Sequence, residues 1–172
     1  MTIDFRPARM EDAEQIYRFV QAMPAEENGF VNEQYGIPRE QFMQETLPAM
    51  IAWSRGEQLK EGYVPETDCF LYVDGEAAGM FKLRHHLNAF LENGPGHIGY
   101  GLLPQYRGKG LATEGLHRAL AYIDTLLPAN ETEVYFSVNK DNPASLKVQL
   151  HCGAYIHHED EAEYYTRIPR KK

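Results

Sequence analysis

The sequence has no apolar run approaching the roughly 18–20 residues that a membrane-crossing helix needs. Its first residues, Met1-Thr2-Ile3-Asp4-Phe5, lack a charged segment followed by an apolar one, so no signal peptide is expected. Cysteine is scarce. Cys69 and Cys152 form no metal-ligand spacing, and without an export signal they read as reduced thiols of a cytoplasmic protein. None of the seven histidines stands at zinc-peptidase spacing from an acidic partner, so no metal is implied. Positive charge is also short. A net charge of −8 argues against nucleic acid, whose phosphates need a basic face, and is compatible with cationic amines as substrates. Two nucleotide motifs are missing, the dinucleotide fingerprint G-x-G-x-x-G and the Walker A loop G-x-x-x-x-G-K-[ST]. No internal repeat, low-complexity tract or boundary divides the 172 residues, a length that suits one domain over 1–172 with a proper core.

The most informative stretch present is Gln105-Tyr106-Arg107-Gly108-Lys109-Gly110. It follows an apolar strand-like run, Ile98 to Leu103, and precedes a helix-like run beginning Leu111-Ala112-Thr113. Two glycines at spacing two let the backbone turn tightly and approach a ligand. The helix behind them presents unpaired N–H groups and the positive end of its dipole. That combination suits phosphate or pyrophosphate. Arg107 and Lys109 add positive charge at the mouth.

Around this loop the hydrophobic period alternates between strand and helix values. Ile3 to Arg6 reads as a strand closed by Pro7. Ala13, Ile16, Tyr17 and Val20 make one face of an amphipathic helix over Glu11 to Met23, with Glu11, Asp12 and Glu14 placed to favour its dipole. Residues 24–38 read as a loop, and Arg39 to Gln58 as a second helix bent at Pro48. Cys69 to Val73 and Ala77 to Leu83 flank the hairpin signal Asp74-Gly75. Residues 85–96 are polar loop with at most a helical turn, and His97 to Leu103 is the next strand. After the glycine loop, Leu116, Ala119, Leu120, Ile123 and Leu127 share a helix face closed by Pro128. Val134 to Val138 is a strand. Asn142-Pro143 opens a further helix as N-cap and N1, stopped at Gly153. Ala154 to His158 and Glu163 to Ile168 are the last strands. The order β-α-α-β-β-β-α-β-α-β-β predicts an α/β (α+β) fold: a mixed, mostly antiparallel sheet of six to seven strands flanked by about four helices. One parallel pairing is expected within residues 97–138, with a right-handed crossover.

With its Gln105-x-x-Gly108-x-Gly110 loop between the fourth strand and third helix, this order resembles the GCN5-related N-acetyltransferases (GNAT). Asn142-x-x-Ser145 opening the fourth helix, with Gly153 closing it, is a second element of that resemblance, which is strongest over residues 68–168. The stretches Leu83 to Asn88 and His97 to Tyr100 are similar to an uncharacterised predicted-acetyltransferase branch of the family. The resemblance implies transfer of an acetyl group from acetyl-CoA to a primary amine of a small molecule or peptide. It implies a sheet splayed between its fourth and fifth strands to admit the thioester. The amides from Arg107 to Ala112 would hold the pyrophosphate, beside Lys109 and Thr113. The main chain at Gly101, Leu102 and Leu103 would pair with the pantetheine arm like an added strand. An N–H near Leu102 would polarise the thioester carbonyl. Asn142 would touch the pantetheine or its water. Relatives also pair through sheet edges, so a homodimer is expected to be feasible.

The chemistry needs a base for the ammonium and, in many relatives, an acid for the thiolate. The position of the family's tyrosine acid is Gln149, which leaves that role vacant or filled from elsewhere. His97, at the start of the strand where some members place an acidic base, is the candidate base, with His85 and His86 as alternatives. Two other readings stand beside catalysis with acetyl-CoA: a non-catalytic module that binds acyl-CoA, and transfer from another acyl-CoA such as succinyl-CoA. Glu26, Glu27, Glu33 and Glu40 would attract a cationic acceptor or form a solvated acidic loop.

Overall fold

The computed structural model describes residues 1–171. In chain order its main elements are β1 (Ile3–Pro7), α1 (Ala13–Ala22), β2 (Glu26–Glu27), β3 (Phe30–Val31), α2 (Arg39–Gln41), α3 (Leu47–Ser54), β4 (Glu66–Val73), β5 (Glu76–Arg84), α4 (Ala89–Glu92), β6 (Ile98–Leu102), α5 (Leu111–Ile123), β7 (Glu133–Asn139), α6 (Pro143–His151), β8 (Tyr155–Glu159) and β9 (Glu163–Pro169). The expected mixed α/β architecture is present. Its sheet comes in two halves, ordered β1-β4-β5-β6 and β7-β9-β8, and every pairing within each half is antiparallel.

β4 is the centre of the first half and is buried on both faces. Its odd-numbered residues Cys69, Leu71 and Val73 enter one core, with Phe81, Leu116 and Ile123. Its even-numbered residues Phe70 and Tyr72 enter the other, with Ile16, Phe19 and Phe42. The period-two alternation of a strand therefore distributes the chain's aromatics into two cores, one under α5 and α6 and one under α1 and α3. Each fully buried large apolar side chain stabilises the fold by roughly 1.5–3 kcal/mol relative to exposure.

Several boundaries differ from the sequence reading for identifiable reasons. α1 begins at Ala13, after a 3₁₀ turn over Met10–Asp12. Asp12 does not serve the helix dipole. It is buried and bonded to Arg6 and Arg9, each Nε 2.7 Å from Oδ2, and those guanidiniums hold its carboxyl down at about 2. The helical stretch from Arg39 ends at Ser54 rather than Gln58 and widens into a π turn over Phe42–Thr46 just before Pro48. Pro48 has no N–H to donate and its ring crowds the carbonyl four residues earlier, which a widened turn accommodates. α5 stops at Ile123, before Pro128. Residues 24–38 are not all loop. Asn28 and Gly29 both have positive φ, 53° and 85°, and join β2 to β3 as a two-residue hairpin.

The two half-sheets part between β6 and β7, the fourth and fifth long strands, where the splay was expected. The anticipated parallel pairing of these strands does not form. They meet at one bridge, Gly96 to Phe136, and at the His97 N–H, which donates to the Tyr135 carbonyl at 2.8 Å. Gly96 is required there twice over. Its φ is +72°, and a Cβ would stand 2.3 Å from the Tyr135 carbonyl oxygen. Replacing Gly96 with Ala is expected to lower the unfolding free energy by about 2 kcal/mol or more in urea titration. An unchanged midpoint would mean that the junction tolerates a side chain.

Candidate functional site

A cleft of about 630 Å³ opens in the wedge beyond the free edge of β6, between the starts of α5 and α6. One wall is the start of α5. The glycine loop delivers this helix through Gly110, its N-cap, with φ +78°. No side chain caps α5. Its first-turn amides at Leu111, Ala112 and Thr113, all lining the cleft, lack the intrahelical partners that later turns have. A Cβ at Gly108 or Gly110 would meet nothing within 4 Å, so the space in front of the helix is open. The opposite wall is α6. Asn142 caps it, its Oδ1 accepting from the Ser145 N–H at 3.4 Å, and both residues line the cleft.

The floor is the free edge of β6. The Leu103 N–H donates to the Ala78 carbonyl on β5 at 3.0 Å. In an antiparallel ladder such pairs alternate, so Gly101 and Leu103 face β5 while Tyr100 and Leu102 turn their N–H and C=O groups toward the gap. The expectation that the main chain at Gly101 and Leu103 is available to a ligand is therefore corrected: their polar groups are used within the sheet. The Tyr100 N–H and C=O and the Leu102 N–H are the groups that face the gap. Leu103 itself is buried in the α1 core and does not line the cleft.

Arg107 lines the cleft but does not extend into it as a free cation. Its Nε and Nη2 donate to the Leu102 carbonyl at 3.0 and 2.8 Å, and Nη2 also reaches Glu27 on the β2–β3 hairpin. Gln105 and Lys109 lie in the loop outside the lining. The hairpin closes the far end of the wedge: the Phe30 ring would be 3.2 Å from a Cβ on Gly101, and Gly29 abuts Asn139 at the end of β7. The role of this hairpin was missed from sequence, although Asn28-Gly29 is a strong two-residue turn signal.

His97 is not in the cleft. It is fully buried at the strand junction. Its Nδ1 accepts from the Tyr135 N–H at 2.9 Å, which places the ring proton on Nε2, 2.9 Å from Glu131 Oε1. Glu131 in turn accepts from the Leu87 N–H at 2.9 Å. Burial depresses its basicity, with Glu131 opposing the shift. With both nitrogens bonded, the ring buried and no place in the cleft lining, His97 is positioned as a structural peg, and the structure does not bring it to the site as the expected base. His85 is tied to Thr67 at 2.7 Å, and His86 sits beside it; neither lines the cleft. Gln149 is also buried, accepting from the Thr166 hydroxyl at 2.6 Å. The phenol that does reach the gap belongs to Tyr100, whose hydroxyl lies 2.8 Å from the Ser145 hydroxyl. Burial pushes this phenol up to about 12, with hydrogen bonds from Ser145 and Gln149 opposing. Among the described residues no group of three or more His, Cys, Asp or Glu could hold a metal ion. Among the described residues no helix is long and apolar enough to cross a membrane.

A family model for the acetyltransferase (GNAT) domain matches residues 3–155. The chain belongs to the GNAT family of acetyltransferases. Solved GNAT structures share its fold throughout. A ribosomal-protein-S5-alanine acetyltransferase from Vibrio fischeri superposes with a TM-score of 0.71 at 14% identity, covering 100% of this chain and 95% of that one. RimL, a ribosomal L7/L12 alpha-N-protein acetyltransferase in complex with coenzyme A, gives 0.70 at 16% identity, covering 100% and 97%. The PaiA N-acetyltransferase from Thermoplasma acidophilum, also in complex with coenzyme A, gives 0.60 at 15% identity, covering 98% and 99%. At these identities the likeness establishes the GNAT fold and not the substrate. No curated protein sequence matches the chain significantly.

The peg reading of His97 has a consequence in solution. An unfolded histidine titrates near 6.5, whereas the folded protein holds His97 neutral to lower pH. Below about 6.5 the unfolded state therefore binds more protons, and stability falls as pH falls through that range. Chemical denaturation between pH 7.5 and 5 is expected to show this loss, with a shallower slope in His97→Asn. Equal slopes would show that His97 does not carry the linkage.

Proposed function

We propose that this GNAT acetyltransferase moves an acetyl group from acetyl-CoA to a primary amine by direct attack. The observation that carries the reading is the uncapped N-terminus of α5, behind Gly108 and Gly110, facing the same wedge as the open edge of β6 at Leu102. An anionic pyrophosphate suits the first, and an extended chain of amides suits the second. The cleft fits coenzyme A by that chemistry: Leu111, Ala112 and Thr113 would hold the pyrophosphate through their amides, and Tyr100 would pair with pantetheine, with the Leu102 N–H left for the thioester. Asn142 and Ser145 would border the arm from α6. Bound there, acetyl-CoA supplies the acyl group as an activated thioester.

This chain's residues then do the following. The ammonium of the acceptor releases one proton to water, its nitrogen attacks the thioester carbonyl, and the same nitrogen loses a second proton to water from the tetrahedral intermediate. The Leu102 N–H, turned toward the gap, stabilises the oxyanion. As the carbon–sulfur bond breaks, the thiolate takes a proton from the Tyr100 hydroxyl, which is regained from solvent through Ser145. The products are an acetamide and the free thiol, with one proton released overall. Tyr100 thus fills, from the strand side, the role left open by Gln149 on α6.

Two substitutions test the assignment. Gly108→Val places a branched side chain in the open space before α5, and should weaken acetyl-CoA binding at least tenfold by calorimetry, at a stability cost of about 1–2 kcal/mol for its positive φ. Unchanged affinity would remove the pyrophosphate assignment. Tyr100→Phe should lower kcat by about a hundredfold with little change in KM, followed by thiol release. An unaltered kcat would mean that the thiolate leaves without this phenol.

A further inference from the structure

Gly101, on the floor of the wedge, does not have a positive φ, so its backbone conformation does not call for glycine. The space around it does. A Cβ there would lie 3.2 Å from the Phe30 ring and 3.4 Å from Met23 Cε. Two apolar side chains therefore press on the bare main chain of β6 next to Leu102. Both line the wedge, and both are almost out of water, at 8% exposure for Phe30 and 1% for Met23. Both are also held in place. The Met23 carbonyl accepts from Asn32 Nδ2 at 2.8 Å. The hairpin that carries Phe30 is tied to Arg107 through Glu27, and Lys82 donates to the Val31 carbonyl at 2.6 Å.

Behind this pair lies more space. A second cavity, of about 580 Å³, occupies the α1–α3 side of the first half-sheet, with Val31, Lys82 and Arg84 in its lining. Phe30 lines the wedge and its neighbour Val31 lines the second cavity. The Phe30 ring and Met23, packed over Gly101, fill the route between the two. The wedge thus ends at a plug made of two side chains. The charges around the plug are already paired. Arg107 is bonded to the Leu102 carbonyl and to Glu27. Lys82 Nζ lies 5.1 Å from the Phe30 ring centroid and is bonded to the hairpin. Lys147 lines the wedge from α6, whose C-cap Cys152 packs on Thr113 at the pyrophosphate end. What a ligand meets at the hairpin end is an apolar wall, with the carboxylate of Glu27 and the amide of Asn28 beside it.

Resting on the acetyltransferase reading above, we propose that Phe30 and Met23 are the wall of the acyl pocket and restrict the donor to acetyl-CoA. The Leu102 N–H belongs to the peptide unit that begins at the Gly101 Cα. A thioester carbonyl accepting from that N–H at about 2.9 Å therefore lies beside Gly101. Its sulfur comes from the α5–α6 side. The acyl group, on the other side of the carbonyl carbon, extends toward the hairpin and meets Phe30 and Met23. A methyl makes contact there. Further methylenes must displace the ring or the thioether, and in a close apolar pocket one methylene changes discrimination by about 10–200-fold. A succinyl group carries a carboxylate instead. It would lose its water against the two buried side chains, next to Glu27 and with no charge left over on Arg107 or Lys82. The same wall that selects acetyl thus rejects succinyl on charge and longer chains on size.

The test is calorimetric titration with CoA, acetyl-CoA, butyryl-CoA and succinyl-CoA, which needs no acceptor amine. The unaltered protein is expected to bind acetyl-CoA about tenfold or more tighter than butyryl-CoA or succinyl-CoA. Phe30→Ala removes the plug and joins the wedge to the second cavity. It should bring butyryl-CoA to within about threefold of acetyl-CoA, with CoA as the reference for any general loss of affinity. Met23→Ala should move the ratio in the same direction, and it leaves the hairpin's own side chains intact. Succinyl-CoA should gain less than butyryl-CoA in both variants, because Glu27 remains. Equal affinity of the unaltered protein for the three acyl-CoAs, tighter binding of succinyl-CoA, or an unchanged butyryl-to-acetyl ratio in both variants would each overturn the proposal and leave the cofactor reading standing. Failure to bind CoA in any form would overturn the cofactor reading and this proposal with it.

Discussion

The structure depends on how β6 and β7 are joined at one end and kept apart at the other. At the closed end the joint is a bridge at Gly96 and a pair of hydrogen bonds between His97 and Tyr135, one through the main chain and one through the imidazole. Glu131 braces the imidazole and also holds the main chain at Leu87, so the peg ties the loop after β5 to the segment entering β7. Continued pairing would satisfy the edges of both strands and leave no site. By stopping after one bridge, the fold exposes the polar groups of Tyr100 and the N–H of Leu102 to whatever fills the wedge.

The same economy of partners recurs at α5. α4 and α6 have their N-termini capped by Asn88 and Asn142, whereas α5 begins at a glycine and leaves its amides facing the cleft. Arg107 is drawn the other way. It neutralises the carbonyl end of β6 at Leu102 and holds the β2–β3 hairpin through Glu27, so its charge shapes the wedge instead of projecting into it. Exposed ion pairs contribute little to stability, and this one serves chiefly to position the hairpin. Phe30 at the hairpin's end then sits over Gly101, between the cofactor wedge and the cavity under Arg84.

Much of this was legible in the sequence, and the parts that were not share a cause. The strand order, the glycine loop and the Asn142 cap rest on local signals: period, turn chemistry and capping. These pointed to the wedge, its place after the fourth long strand, and half of its lining. What failed was whatever depends on a partner distant in sequence. His97 reads as a candidate base because a histidine beside a reactive strand is plausible; only its contacts at Glu131 and Tyr135, 34 and 38 positions away, reveal the peg. Arg107 reads as a phosphate ligand until Glu27, 80 positions away, claims it. The division of labour among Gly101, Leu102 and Leu103 required the register with β5, which periodicity does not give. The β2–β3 hairpin is the exception, since Asn28-Gly29 carried its own signal.

The central claim is that the outward-facing edge of β6 pairs with the pantetheine arm. Residue-resolved amide hydrogen exchange with and without acetyl-CoA tests it directly. The account predicts a rise in protection at Tyr100 and Leu102, together with the first-turn amides of α5, while Gly101 and Leu103, already paired with β5, change little. Unaltered exchange at Tyr100 and Leu102 under saturating acetyl-CoA, or protection gained instead at Gly101 and Leu103, would contradict it.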